Sequence, residues 1–169
     1  ENISSGGIAN STTVNNGGNQ NILSGGSASA TTVNSGGSES ISSGGIASAT
    51  TVSNGGLINI SQGGSALALA MSSGAAITAG VIGGGTTLVS GTNESGSFYI
   101  SGNTASNVVL NSGGALFVSF GAIASITTVN SGTRWFIFSG GIANSTTINS
   151  GGNQKVSSGG VARDRKSVV

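Results

Sequence analysis

Apolar residues along this chain recur two positions apart, in short runs closed by glycine. In the repeated run "TTV", at Thr12 to Val14 and Thr31 to Val33, the first Thr and the Val fall on one face and the second Thr on the other. That is the alternation of a half-buried strand, not the three-and-four spacing of a helix. Val, Ile and Thr favour strands, and Gly pairs supply sharp corners.

The corners are periodic. With the first residue of each Gly pair or its equivalent as a mark, they fall at Gly6, Gly17, Gly25, Gly36, Gly44, Gly55, Gly63 and Gly74, and again from Gly102 to Gly159. A long arm of 11 residues alternates with a short arm of 8, giving a period of 19. The marks Gly83 and Ser95 fill the middle, where one period has 20 residues. In the long arm the fourth residue is Ala9, Ala28, Ala47, Ala66, Ala105, Ala124, Ala143 and Ala162. The ninth is Val14, Val33, Val52, Met71, Leu110, Val129 and Ile148. In the short arm the sixth is Ile22, Ile41, Ile60, Ala79, Ile100, Val118, Ile137 and Val156.

A unit this short cannot bury a core alone, but stacked units bury a continuous one. The pattern predicts a parallel β-solenoid of about nine rungs, on the order of 40 Å long at roughly 4.8 Å per rung. A helical solenoid needs longer units richer in Leu, Glu and Lys.

Composition narrows the function. The 169 residues include 32 Gly, five Lys and Arg, four Asp and Glu, and no Pro, Cys or His. So few cations exclude phosphate-backbone binding and hence nucleic acid as a partner. Low charge with regularly placed Val and Ile argues against disorder. Gly without a three-residue period or Pro excludes collagen. No run reaches the roughly 18 apolar residues of a membrane span, so membrane insertion is not expected. No signal peptide opens the chain: either it is cytosolic or the segment has been removed. Without Cys or His there is no thiol chemistry and no zinc site. Calcium β-roll repeats need an Asp in each unit, and the single Asp is Asp164. No cofactor is expected.

The segments "GGIANSTTVNNGGNQNILSGG" (Gly6 to Gly26) and "GGIANSTTINSGGNQKVSSGG" (Gly140 to Gly160) closely resemble the passenger repeats of AIDA-type autotransporter adhesins of Gram-negative bacteria. Spacing, corner residues and the "TTV-N-S-G-G" run all agree, from about Ser4 to Ala162. The resemblance implies an all-β, right-handed parallel β-helix. It also implies a passenger exported to the bacterial surface through a C-terminal β-barrel in the outer membrane. Such passengers mediate adhesion to host cells, autoaggregation and biofilm formation, so the implied partners are copies on neighbouring cells and the host cell surface. Several carry O-linked heptose on Ser, added by a bacterial heptosyltransferase. The β-helix repeats then span 1–162. The tail "RDRKSVV", 163–169, departs from the pattern and puts Lys166 and Ser167 where Thr-Val belongs; it reads as a vector scar or frame accident, or as a natural polar cap.

Each candidate chemistry has a plainer counterpart. An enzyme, such as a polysaccharide-active β-helix, needs paired carboxylates. Here Glu39 and Glu94 fall about three rungs apart, roughly 14 Å along the axis, and no base stands ready to activate a Ser. No enzyme is expected. "VIGGGTTL" (Val81 to Leu88) lacks the Lys and helix of a phosphate loop and reads as an irregular corner. Asn15, Asn34, Asn111, Asn130 and Asn149 precede corners and read as a stacked amide ladder. The outward Thr13, Thr32, Thr51, Thr128 and Thr147 resemble an ice-binding array, but Ala70 and Val109 interrupt it. Ser24, Ser35, Ser43, Ser73, Ser112, Ser131, Ser150 and Ser158 are turn formers, and the resemblance makes them candidate glycan acceptors. Finally, Tyr99, Phe117 and Phe136 are expected to stack outward on three consecutive rungs, with Trp135, Phe120 and Phe138 joining the stripe. An exposed apolar stripe marks an interaction surface. The alternatives are a ladder that only staples rungs, or a face covered by passenger segments outside this chain.

Overall fold

The computed structural model describes residues 1–163 and 165–168; Asp164 and Val169 lie outside the described residues. Every regular element among the described residues is a strand, and none is a helix that could cross a membrane. Two- to four-residue strands wind into coils, and each coil lies in register on the next, 19 residues later: Ala9 on Ala28 on Ala47, Val14 on Val33 on Val52, Ile22 on Ile41. The first sheet has eight layers and the main path of the second has ten, so the β-solenoid has about nine turns.

The inward columns form the core. Ala28, Ala47 and Ala124, Val33 and Val129, and Ile22 and Ile137 are all fully buried. In four coils the first Thr of the Thr pair also faces inward, as Thr31, Thr50, Thr127 and Thr146 are buried, whereas in Thr86–Thr87 the second is buried.

The two glycines of a corner act differently. The first, such as Gly44, has a φ of +73°, a conformation other residues enter only at a cost. The second, such as Gly45, has no such φ; a Cβ there would sit 2.6 Å from the Ile22 carbonyl of the preceding coil. Corner amides also bond from coil to coil, with Gly25 N–H donating to Gly44 O at 2.9 Å and Gly44 N–H to Gly63 O at 2.9 Å.

A third corner carries no glycine. Ser11, Ala30, Ala49, Ala68, Asn107, Ile126 and Ser145 all have φ between 52° and 57°. The amides of Ser11, Ala30, Ala49, Asn107 and Ile126 donate to carbonyls of the next coil, as from Ala30 to Ser48 O and from Ala49 to Leu67 O, at 2.9 and 2.8 Å. That ladder runs through the strained positions.

The middle departs from the repeat in two ways. Between the corner glycines Gly74 and Gly84 the first-sheet strand Ala76–Val81 has six residues, where its neighbours have four. Its first four pair with Leu57–Ile60, and its last four with Ala115–Val118. The stack thus slides by two residues, which preserves which side chains face inward. The chain then does not complete an ordinary coil. Leu88–Asn93 joins the second sheet, Gly96–Ser101 returns antiparallel to it, and Thr104–Ser106 reverses again. The expected inward Ile100 is buried, but in this hairpin and not in the first sheet. Asn107 clamps the hairpin tip, donating from Nδ2 to Ser95 O and Ser97 O at 3.2 and 2.9 Å. The first sheet runs through this region uninterrupted, whereas the third begins afresh at Val109–Leu110.

At the far end Arg165–Ser167 keeps the register, with Lys166 beside Thr147 and Ser167 beside Ile148.

Candidate functional surface

Outward positions of the first sheet carry the aromatic residues. Phe117 and Phe136 are neighbours in register, because Ala115–Val118 pairs with Arg134–Ile137. Their rings stack with centroids 5.3 Å apart and planes within 2°. Phe138, two residues beyond Phe136, lies nearly parallel at 6.1 Å from Phe136 and 6.5 Å from Phe117. Phe120 projects from the adjoining corner and is 77% exposed. Most other coils have Ser at that corner position, as at Ser24, Ser43, Ser139 and Ser158.

Two residues expected in this stripe lie elsewhere. Tyr99 belongs to the returning strand of the hairpin, on the second sheet between Ser90 and Ser106. The reversal at Asn93–Gly96 carries it off the first sheet. Trp135 is fully buried, because it shares the inward face with Ile137.

The candidate serines, Ser24, Ser35, Ser43, Ser73, Ser112, Ser131, Ser150 and Ser158, are all exposed. They occupy two corner columns. Ser24, Ser35, Ser112 and Ser131 each have Oγ under the first corner glycine of the next coil, where a Cβ would come within 2.8 Å or less. The same location holds for Ser5 and Ser139, which spacing also marks but which the candidate set omits.

The Asn residues form an amide ladder. Asn34 Nδ2 donates to Asn15 Oδ1 at 2.9 Å, Asn130 to Asn111 at 2.7 Å, and Asn149 to Asn130 at 2.6 Å. Among the outward Thr residues, Thr13 and Thr51 are exposed while Thr32, Thr128 and Thr147 are half-buried, with the column broken by Ala70 and a buried Val109.

Glu39 and Glu94 do not converge. Glu94 is exposed at the hairpin tip, while Glu39 lies fully buried in the core. Glu39 stacks between Gln20 and Ile58, and neither of its oxygens has a hydrogen-bond partner. Burial pushes its carboxyl up to about 7, with the nearby Thr50 and Thr31 hydroxyls opposing the rise. Gln20 is itself satisfied, accepting from Thr31 Oγ1 at 3.0 Å and donating to Glu1 Oε2 at 2.9 Å. Spacing places the first Thr of a pair inward but gives no expectation of an inward Gln20 or Glu39, since charge usually marks a solvated face; the signal available was the position of Glu39, two before the inward Ile41. Among the described residues no group of three or more acidic, His or Cys side chains could hold a metal ion.

The family model described as "Adhesin of bacterial autotransporter system, probable stalk" (AIDA) matches residues 3–56 and 90–152. The interval between the matches contains the lengthened first-sheet strand. No curated protein matches the chain significantly. A similar solved structure is the crystal structure of a TibA fragment hyper-glycosylated by TibC catalysis. It is 30% identical, covers 98% of this chain and 84% of that one, and has a TM-score of 0.42. The chain belongs to the AIDA family of bacterial autotransporter adhesins, in the part described as the probable stalk.

Proposed function

We propose that the chain is a length of a surface-exposed adhesin passenger that works in cell adhesion, autoaggregation and biofilm formation. The observation that carries this reading is the family match over residues 3–56 and 90–152. The physics supports it. A rod of stacked coils repeats the same outward groups along its length, and many weak contacts displayed together give strong cohesion. Its partners are copies on neighbouring cells and the host surface, and its place is the outer face of a bacterium. The reading is non-enzymatic: Glu39 is sequestered and Glu94 stands alone at a tip.

The aromatic cluster of Phe117, Phe136, Phe138 and Phe120 is the proposed contact for self-association. Sedimentation velocity over a concentration series tests it, with wild type beside a Phe117→Ser, Phe136→Ser, Phe138→Ser variant checked for folding by circular dichroism. Association in wild type that the folded variant loses supports the contact. Equal behaviour of the two removes it.

The exposed corner serines are the proposed acceptors of O-linked heptose. Their fit lies in exposure and in repetition along two edges of the rod. Co-expression with a bacterial heptosyltransferase, followed by peptide mass spectrometry, is expected to place heptose on them. Glycans confined to other residues would overturn the assignment.

A further inference from the structure

Of the 32 glycines, Gly80 alone has neither a positive φ nor a neighbour within 4 Å of the Cβ it lacks. Every other glycine answers to a corner or to close backbone approach. Gly80 sits inside the strand Ala76–Val81. A glycine there weakens a strand, and it often marks a bulge, a tight bend, or close approach by a ligand or another backbone. The unbroken register of Thr78–Val81 on Ala115–Val118 shows no bulge. Among the described residues no backbone comes within 4 Å of the Cβ position of Gly80.

What surrounds Gly80 is specific. In register it lies beside Phe117, the ring that heads the Phe117–Phe136 stack. Phe136 covers one face of Phe117. On the other side the next residue in the column is Gly80, with no side chain to cover the ring. Continuing the register of Leu57–Ile60 by one residue places Ser61 on the far side of Gly80. Thr78 on its own strand and Ile82, just past the strand's end, flank it along the chain. Phe117 and Ser61 are thus two layers apart, roughly 9–10 Å at the strand spacing, with one empty layer between them. That gap holds one flat ring.

We infer that Gly80 is the floor of a ring-stacking slot that takes one neutral pyranose of a carbohydrate, its apolar face against Phe117 and its hydroxyls toward Ser61 and Thr78. The chemistry of the walls selects this occupant. One wall is an aromatic face, which rewards a flat, C–H-rich surface. Two others are hydroxyl side chains, the exposed Ser61 and the half-buried Thr78, with which the hydroxyls of a pyranose can pair and a bare aromatic ring cannot. The nearest charge on this face of the sheet is Arg134, two layers from Thr78. An acidic sugar therefore gains nothing over a neutral one. This inference is independent of self-association through the phenylalanines.

The test is a nuclear magnetic resonance titration that follows the Phe117 ring in the full chain. The probes are methyl β-D-galactopyranoside, methyl α-D-glucopyranoside and, as a rival ring, N-acetyltyrosine amide. Wild type is compared with Gly80→Phe and Gly80→Thr, both of which fill the slot at a position with open space for a Cβ. At least one pyranoside is expected to shift the Phe117 ring saturably, with binding weakened at least about tenfold in both variants. The inference is overturned if no pyranoside moves that ring up to about 100 mM, where even a Kd of roughly 10 mM would register. It is also overturned if both variants bind as wild type does, or if only the tyrosine amide binds, which would make the slot a seat for a protein side chain.

Discussion

Ile126 shows what the stack imposes on one residue. It is β-branched, 57% exposed, and holds a φ of 53°. Its side chain gains little from packing, and the left-handed conformation costs it about 1–2 kcal/mol. Ile126→Asn, a residue that tolerates that region, is therefore expected to raise stability by about 1 kcal/mol in urea unfolding. An unchanged midpoint would mean that the left-handed conformation, which Ile126 adopts while its amide donates to Asn144 O at 3.1 Å, costs it nothing more than it costs Asn. Glu39 carries a different constraint. Its carboxyl is pushed up to about 7, so the folded chain prefers the proton more than the unfolded chain does. Stability is then complete below the ordinary carboxylate range and falls as pH rises through about 7, by on the order of 3 kcal/mol. The groups packed around it, Gln20, Ile58, Thr31 and Thr50, include no cation to offset the charge. Glu39→Gln is expected to flatten the urea midpoint between pH 5 and about 8 and to raise it at the upper end. A wild-type midpoint that does not fall with pH would refute this account of Glu39.

At the scale of the element, two kinds of glycine separate cleanly. Gly45→Ala places a methyl 2.6 Å from a backbone oxygen that cannot move without disturbing the next coil. A loss of about 2 kcal/mol or more is expected. Gly80→Ala meets open space and removes an entropic liability from a strand, so a gain of about 0.5–1 kcal/mol is expected. Paired denaturation curves check both signs. This scale is also where the sequence was most and least legible. The period, the inward Ala, Val and Ile columns and the amide ladder were visible because each recurs at fixed spacing. The hairpin was not. The marks Gly83, Ser95 and Gly102 kept a nearly normal total length, and strand alternation looks the same whether a strand runs parallel or antiparallel. Tyr99 was misplaced for that reason, by counting through a reversal. The third corner left no mark, since seven different coils fill it with Ser, Ala, Asn or Ile. Trp135, Gln20 and Glu39 were readable by position, two residues before an inward aliphatic, but their polarity or bulk pointed outward.

For the whole molecule, coil-on-coil stacking means that each turn feels mainly its two neighbours. A defect should stay local. Raising pH from about 5 to about 7 is expected to lower amide protection, measured against the intrinsic exchange rate at each pH, around Gln20 to Thr50, near Glu39, while the coils from Ala115 to Ile148 keep theirs. An equal loss of protection along the chain would instead show that the solenoid opens as one unit.

The two-residue slide at Ala76–Val81 has a consequence for how such a molecule can change over generations. Coils this alike in sequence invite misaligned recombination between their coding segments, which adds or removes whole turns and leaves every inward column intact. Within a first-sheet strand, six nucleotides gained keep the core facing inward, as the slide itself demonstrates. Three gained would turn the rest of that strand inside out. The lineage is therefore free to vary the height of the rod in full turns and to trim its strands in pairs of codons, while single-codon insertions there are selected against.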